Sequence, residues 1–221
     1  MSRAEFLSRV RQAVRDGNRP GTAAPLPSRG TVGYQGAGSD PVAHCSAALT
    51  AAGGFPSVVP DRASAVARVL ELVQAWAATR VLFSGGPFVD GLGLPERLRA
   101  VGVQVATVDQ LTSETTKETF FAADVGISGV DYLVAETGSV VLLARPAAPR
   151  SVSLLPPVHI AVAERSQLLP DLFDLFDRLA PGEMPSCLSL ITGPSKTGDI
   201  ELRLVTGVHG PGEIHVVLVN E

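Results

Sequence analysis

The stretch 61–84, DRASAVARVLELVQAWAATRVLFS, decides the fold class because it joins a helical pattern directly to a strand pattern. Asp61 is a suitable N-cap for a helix that runs to Thr79. The apolar positions at helical spacing are Val66, Val69, Leu70, Val73 and Trp76. Residues 80–84 predict a short buried strand, which a Gly-Gly-Pro turn ends. A helix followed by a buried strand is typical of an α/β domain.

The rest of the chain extends this alternation. It predicts a helix near 95–100, a strand at 103–108 and a helix near 114–123, then strands at 158–163, 187–191 and 213–219. Residues 129–145 hold two apolar runs around Glu136-Thr137-Gly138-Ser139, which predicts a β-hairpin. We therefore expect an α/β fold with a mostly parallel mixed sheet, helices on both faces and a hairpin insertion.

Three segments are expected along the chain. Residues 1–17 predict an amphipathic helix, with Phe6, Val10 and Val14 four residues apart. Residues 18–41 are rich in Pro, Gly and Ser and predict a linker or mobile arm. Residues 42–221 form the main domain. The first helix packs either on its own domain or on a neighbouring subunit, and the sequence does not separate these two.

Composition excludes several classes of protein. The net charge of −4 disfavours a general nucleic-acid binder. No apolar run reaches the roughly 18 residues of a membrane-spanning helix, and charges interrupt the first residues, so we expect a cytoplasmic protein. Cys45 and Cys187 are far apart in the sequence. A four-cysteine zinc site or a cysteine-ligated iron–sulfur cluster cannot be built from this chain alone, and we expect no cofactor in it.

The segment 192–199, TGPSKTGD, is the densest group of potential ligand-binding residues, and it directly follows a predicted strand. Its glycines allow close backbone approach, its hydroxyl groups can donate hydrogen bonds, and Lys196 can attract a carboxylate or phosphate. Asp199-Ile200 stands where a P-loop requires Lys-Ser/Thr. An ordinary strand-to-helix loop is the alternative. Ligand binding is favoured because open α/β sheets bind ligands at the carboxyl ends of their strands.

Three residues are candidates for acid–base or nucleophilic chemistry. Asp199 is a possible general base, although an acid in the first turn of a helix is the simpler interpretation. His209 lies in a glycine-flanked turn that leaves its ring accessible, or is simply solvated. Glu136 at the hairpin tip can act as base or nucleophile, or face solvent. Arg150 can pair with an acidic ligand, and a surface role is its alternative.

Four strings carry a resemblance to a known family: ITGPSKTGDIE at 191–201, GVHGP at 207–211, AETGSVVL at 135–142 and RSVSLLPPVHIAV at 150–162. Over residues 60–221 the chain resembles the LUD-domain family, and within it the lactate-utilisation protein C group. Gly198 stands where many relatives are expected to have Ala. The candidate catalytic residues are Glu136, Asp199 and His209, and the candidate ligand-binding residues are Thr137, Gly138, Arg150, Thr192, Gly193, Ser195, Lys196, Thr197 and Gly210. Arg150, Thr192 and Lys196 are candidates by residue type, whereas the others also match the family by motif position, as do Pro157, His159, Pro194 and Glu201.

The resemblance implies a three-layer α/β/α fold similar to the NagB/RpiA/CoA-transferase-like superfamily. It also implies a part in oxidising L-lactate to pyruvate beside an iron–sulfur protein and a cysteine-rich protein. The expected function is a non-redox component that binds a small carboxylate or phosphate, its iron–sulfur partners, or both. Two alternatives stay open: an independent CoA-transferase-like or acyl-transfer enzyme with Glu136 as nucleophile, and an assembly protein that docks through its first helix.

Overall fold

The structure is a computed structural model, and it describes residues 2–17, 36–111, 116–179, 185–198 and 205–221. The chain divides into two compact units, residues 1–34 and residues 35–221. The first unit contains helix α1, Arg3–Gly17, and most of the predicted linker, 18–35, lies outside the described residues. None of the described helices has the length and apolar character that crossing a membrane requires.

The second unit contains a parallel sheet and a smaller second sheet. The strands are β1 Phe55–Val59, β2 Arg80–Ser84, β3 Gln104–Thr107, β4 Val125–Gly129, β5 Tyr132–Val134, β6 Ser139–Leu143, β7 Val158–Glu164, β8 Leu168–Leu169, β9 Leu188–Ile191, β10 Lys196–Thr197, β11 Val205–Thr206 and β12 Glu213–Val219. The helices are α2 Pro41–Ala51, α3 Arg62–Ala75, α4 Leu94–Ala100, α5 Thr116–Ala122, α6 Ser151–Leu154 and α7 Leu172–Leu179.

The parallel sheet has six strands in the order β1-β12-β7-β4-β2-β3, and every neighbouring pair in it is parallel. The second sheet has the order β8-β5-β6-β9, and β10 pairs with β11. The α/β class and the hairpin, β5 with β6, are confirmed. The antiparallel strands form their own sheet, however, and do not extend the parallel one. Strand β9, which the sequence analysis placed beside the parallel strands, pairs antiparallel with β6.

The segment that opens the sequence analysis folds largely as expected. Asp61 accepts a hydrogen bond from the Ser64 amide, which confirms the predicted N-cap. The helix ends at Ala75 rather than at Thr79. Trp76 was expected in the apolar stripe, and this is wrong: it follows the last helical residue and is 42% exposed. The last four residues of β2 are all buried, as a strand covered on both faces requires.

Successive side chains of the parallel strands pack into different hydrophobic cores on the two faces of the sheet. One face packs against α3 and α4, and the other packs against α2, α5, α6 and the second sheet. Strand β7 shows this alternation directly, because Val158, Ile160 and Val162 join the first core while Ala161 and Ala163 join the second. This gives the three layers that the resemblance implied.

The strand order contains a change of direction between β2 and β4. From β2 the chain passes through α4 to β3 on one side, and then returns past β2 to β4. It continues away from β3 through β7 to β12. In open α/β sheets a crevice forms at such a switch point, outside the carboxyl ends of the two strands. The topology therefore points to the ends of β2 and β4 as the place to look for a ligand site.

Candidate functional site

The C-terminal motif folds into a packing junction. We call this the signature junction: loop 192–198, turn 207–212, the hairpin tip 135–138 and the C-terminal end of α2. The Ser195 amide donates to the Pro211 carbonyl at 2.9 Å, and the Gly207 amide donates to the Ser195 carbonyl at 2.9 Å. These bonds tie the loop to the turn ahead of β12. The Lys196 ammonium donates to the Ala52 carbonyl just beyond the end of α2.

Two glycines of the junction lie directly against α2. A Cβ on Gly138 would stand 2.3 Å from the Leu49 amide nitrogen, and Gly138 has a φ of 66°. A Cβ on Gly193 would stand 2.7 Å from the Ala52 carbonyl oxygen, and its φ is 119°. Both the contact and the positive φ exclude a larger residue without strain. The close approach that these glycines permit is therefore to the protein's own backbone.

Hydroxyl groups of the junction bond to one another. The Ser139 hydroxyl lies 2.7 Å from the Thr137 hydroxyl and 2.7 Å from the Thr192 hydroxyl. This row connects the hairpin to the end of β9. Ser195 lies beside Gly210, where an added Cβ would be 3.2 Å from the serine Cβ. Thr197 pairs with Val205 in the β10–β11 ladder. The structure thus brings together most of the predicted ligand-binding residues, in contacts that hold the fold.

The remaining predicted site residues are Glu136, His209, Arg150 and Asp199. The Glu136 amide donates to the Pro170 carbonyl, and its side chain is partly exposed at the hairpin tip. His209 is exposed in the turn before β12, at the amino end of that strand. Arg150 lies next to Cys187, at the opposite end of β9 from Thr192. Asp199 lies outside the described residues. The structure therefore does not test whether the three candidate catalytic residues converge, and their roles stay predictions.

A different site forms at the switch point. We call it the switch-point crevice: residues 84–87 after β2, residues 128–131 at the end of β4, and the segment 142–153. It contains a small cavity of about 30 Å³. A larger cleft of about 630 Å³ adjoins it and extends toward β3. Both are lined by Gly85, Gly86 and Pro87 together with Arg145 and Ala148.

Glycines and an acid shape the floor of the crevice. The Gly86 amide donates to the Asp90 carboxylate at 3.2 Å, and a Cβ on Gly85 would stand 2.4 Å from the same carboxylate. A Cβ on Gly129 would stand 3.5 Å from the Gly86 Cα, so the two strand ends meet backbone to backbone. Small residues at both ends leave the space open.

Two arginines line the cavity, and their electrostatic situations differ. Arg145 donates to the Asp131 carboxylate, which also accepts the Leu143 amide at 2.7 Å. Arg150 donates to the Cys187 thiol at 3.6 Å. Within the described part of the chain, no carboxylate lies within ion-pairing distance of Arg150. Its charge is therefore available to an anion that enters the crevice.

A buried polar pair stands behind the cavity wall. Ser128, on β4, lines the cavity, and its hydroxyl is hydrogen-bonded to His159 Nε2 of β7 at 2.9 Å. His159 is fully buried, and its Nδ1 has no hydrogen-bond partner in the structure as described. Burial lowers the pKa of the His159 imidazole to about 4, so the ring is neutral at physiological pH.

Sequence reasoning found Arg150 and missed its neighbours in the crevice, chiefly Ser84, Ser128 and Arg145. A signal was present, because β2 and β4 both carry Ser-Gly at their carboxyl ends, Ser84-Gly85 and Ser128-Gly129. The two serines are register partners across the sheet. Among the described residues, no group of three His, Cys, Asp or Glu side chains is placed to hold a metal ion.

Comparison with known proteins agrees with the family that the sequence resembles. A family model described as LUD domain matches residues 42–219. Lactate utilization protein C of Halalkalibacterium halodurans is 39% identical over 155 residues, 68% of this chain and 66% of that protein. Lactate utilization protein C of Bacillus subtilis is 36% identical over 155 residues, 63% of this chain and 65% of that protein. The aligned region is thus slightly less than two thirds of either relative.

The fold has a solved counterpart. A crystal structure of a DUF162 family protein from Deinococcus radiodurans superimposes with a TM-score of 0.58, and the match covers 81% of this chain and 96% of that one. At 19% identity this similarity concerns the fold alone. The match of the family model to residues 42–219 spans nearly the whole second unit. The chain belongs to the LUD-domain family.

Proposed function

We propose that this chain is a component of a lactate-utilisation system and that its switch-point crevice binds a small carboxylate. The observation that carries the ligand site is Arg150, a guanidinium that lines the cavity at the topological switch point and forms no ion pair with a described carboxylate, whereas Asp131 of the same cavity is paired with Arg145. The name of the relatives, Lactate utilization protein C, supports the metabolic setting. Lactate and pyruvate are small carboxylates, and a guanidinium is suited to bind such groups.

Direct titration tests the ligand site. L-lactate, pyruvate and inorganic phosphate are each titrated calorimetrically into the full chain and into Arg150→Ala. A hydrogen bond to a charged group is worth about 1.5–3 kcal/mol, so the variant should bind the carboxylates about tenfold or more weakly. Arg178→Ala is the matched control, because Arg178 is exposed on α7 and does not line the crevice. Equal affinity of Arg150→Ala and Arg178→Ala for every anion would overturn the assignment.

A second part of the proposed function is an association with redox proteins. We propose that it is a non-redox component and that iron–sulfur and cysteine-rich proteins of the same system carry the electrons, as the family resemblance implies. A tagged chain expressed in its source organism during growth on L-lactate should co-purify with those proteins, and deleting its gene should stop growth on L-lactate but not on glucose. Normal growth on L-lactate by the deletion strain would contradict this role.

An independent CoA-transferase-like enzyme remains the alternative. Glu136, its nucleophile, lines neither space of the crevice, and no observation in the described residues favours the transfer reaction. The test is direct: CoA exchange between acyl-CoA and a free carboxylate is measured for the native chain and for Glu136→Ala. Exchange that disappears in the variant would support the enzyme, and absence of exchange in the native chain would remove it.

A further inference from the structure

The end of β4 presents a hydroxyl group, that of Ser128, with a single described hydrogen-bond partner. Ser84 and Ser128 lie opposite each other in the sheet register, and both line the small cavity. The Ser84 hydroxyl donates to the Ala147 carbonyl at 3.3 Å, so its proton already has an acceptor within the protein. Within the described residues, the Ser128 hydroxyl has one partner, His159 Nε2. Whether Ser128 donates or accepts in that bond decides what it offers to a ligand.

The surroundings of His159 Nδ1 indicate which group donates in this bond. A neutral imidazole has one N–H donor and one bare acceptor nitrogen. If Nδ1 carried the proton, a buried N–H would lack an acceptor, and buried N–H groups without partners are rare in folded proteins, rarer than under-used acceptors. Since Nδ1 has no described partner, the proton belongs on Nε2, where it is donated to Ser128. The low pKa of the ring, about 4, keeps it in this neutral form.

We propose that His159 and Ser128 form a positioned donor pair, in which the imidazole N–H fixes the serine oxygen as an acceptor and thereby directs the serine proton toward a ligand carboxylate in the crevice. His159 is a positioning residue in this arrangement, and Ser128 is the group that touches the ligand. The inference rests on the proposed ligand site and names the donor within it.

The same geometry argues against a different role for Ser128. A serine nucleophile needs an adjacent base whose nitrogen is free to accept the hydroxyl proton. The tautomer described above places a proton on the nitrogen that would have to act as base. No carboxylate orients the opposite nitrogen in the described structure, because Nδ1 has no partner. The pair is therefore organised to bind an oxygen anion rather than to attack a carbonyl.

The size of the cavity favours a carboxylate over a larger anion. Its volume of about 30 Å³ accommodates roughly two water molecules. That space suits a planar carboxylate, which can accept from Ser128 with one oxygen while Arg150 supplies positive charge. A tetrahedral phosphate is larger and presents more acceptor oxygens than a planar carboxylate. We expect acetate, L-lactate and pyruvate to bind more tightly than inorganic phosphate.

The first experiment determines the tautomer in the native chain. The full chain is labelled with ¹⁵N, and long-range ¹H–¹⁵N correlations identify which nitrogen of each of the four histidine rings carries a proton. The His159 signals are assigned by their loss in His159→Gln. The inference requires a protonated Nε2 and a bare Nδ1 across the neutral pH range. A protonated Nδ1 would overturn it and leave the proposed carboxylate site untouched.

The second experiment measures affinity for acetate, L-lactate and pyruvate by calorimetry. Ser128→Ala should weaken binding about tenfold, as loss of one hydrogen bond to a charged group predicts. His159→Leu should weaken binding similarly. His159→Gln should restore affinity to within about threefold, because its amide can donate from a position near that of Nε2. Ser46→Ala is the control, since Ser46 bonds only within α2 and lies outside the crevice.

The outcomes separate the two proposals. Loss of binding in Arg150→Ala with full binding in Ser128→Ala overturns the donor pair and keeps the carboxylate site. Failure of the native chain to bind any of the three carboxylates overturns the proposed function itself. If His159→Leu does not fold, as judged by its amide spectrum, the native tautomer and Ser128→Ala still decide the inference.

Discussion

Acidification should destabilise the fold through His159, and the size of the effect follows from its burial. The pKa of this histidine is lowered from 6.5 to about 4 in the folded chain. Between about pH 6.5 and pH 4, the unfolded chain therefore binds a proton at His159 that the folded chain does not bind. The contribution to stability is complete above about pH 6.5 and is lost as the pH falls toward 4. Each pH unit is worth about 1.4 kcal/mol, so about 2 to 3 kcal/mol disappears by about pH 4.5.

The assay compares the free energy of unfolding in urea at about pH 7.5 and about pH 4.5 for the native chain and for His159→Gln, which cannot titrate. The native chain should lose about 2 kcal/mol more than the variant. Burial also lowers the pKa of His215, and the comparison cancels that contribution because both proteins contain it. The lowered carboxyl pKa values of Asp61 and Asp124 act below this range. Equal losses in the two proteins would refute the reasoning.

Three further changes test the packing of the site and of the junction. Gly193→Ala should lower the free energy of unfolding by about 1–3 kcal/mol because its Cβ would stand 2.7 Å from the Ala52 carbonyl oxygen. Gly198→Ala is the control and should change it by no more than about 0.5 kcal/mol, because nothing lies within 4 Å of the added Cβ. Urea unfolding curves that give the reverse order would contradict this prediction. Asp131→Ala should lower the free energy of unfolding by about 1–3 kcal/mol and leave Arg145 without its carboxylate partner. Calorimetry should then show anion binding about two- to fivefold tighter. Weaker binding would argue against an anion site. Thr192→Val should cost about 1 kcal/mol and leave carboxylate affinity unchanged; a large loss of affinity would return the ligand role to loop 192–198.

Local pattern was sufficient for the elements of the fold. The N-cap at Asp61, the hairpin around residues 135–138 and the strand at 213–219 each depend on neighbours in sequence, and each is confirmed. Trp76 was misplaced because helical spacing continues past the point where the backbone turns, with Ala77 at a positive φ of 47°. Spacing alone does not record where a helix stops.

The crevice could not be predicted because it depends on strand order. Ser84 and Ser128 are far apart in sequence and become register partners only when β4 inserts beside β2 rather than beside β3. The hydrophobic periodicity of the sequence identifies each strand but does not indicate which strands lie next to it in the sheet. The repeated Ser-Gly at the ends of both strands was the available sign, and it has meaning only once the strands are adjacent.

The ligand role of loop 192–198 stays a prediction, but one premise behind it is wrong. The premise is that the strand before the loop ends at the carboxyl edge of the parallel sheet. Strand β9 instead runs antiparallel to β6 in the second sheet, so Thr192 reaches the hairpin tip and α2. Its glycines and hydroxyls are the residue types that a ligand loop needs, and they are equally the types that a close contact between a loop and a helix end needs.

The junction nevertheless bears on the crevice, through the strand that joins them. Strand β9 is anchored at Thr192 by the junction, and just before its other end the Cys187 carbonyl accepts the Ala144 amide beside Arg150. Asp131 binds both the Leu143 amide and Arg145, so the same second sheet also sets the opposite part of the crevice wall. The contacts of both cavity arginines therefore run to residues of the second sheet or next to its strands, whereas Ser128 belongs to the parallel sheet. Under the proposed function, the C-terminal motif acts on the site indirectly through β9, whereas the proposed ligand contacts come from Arg150 and Ser128, which lie outside that motif.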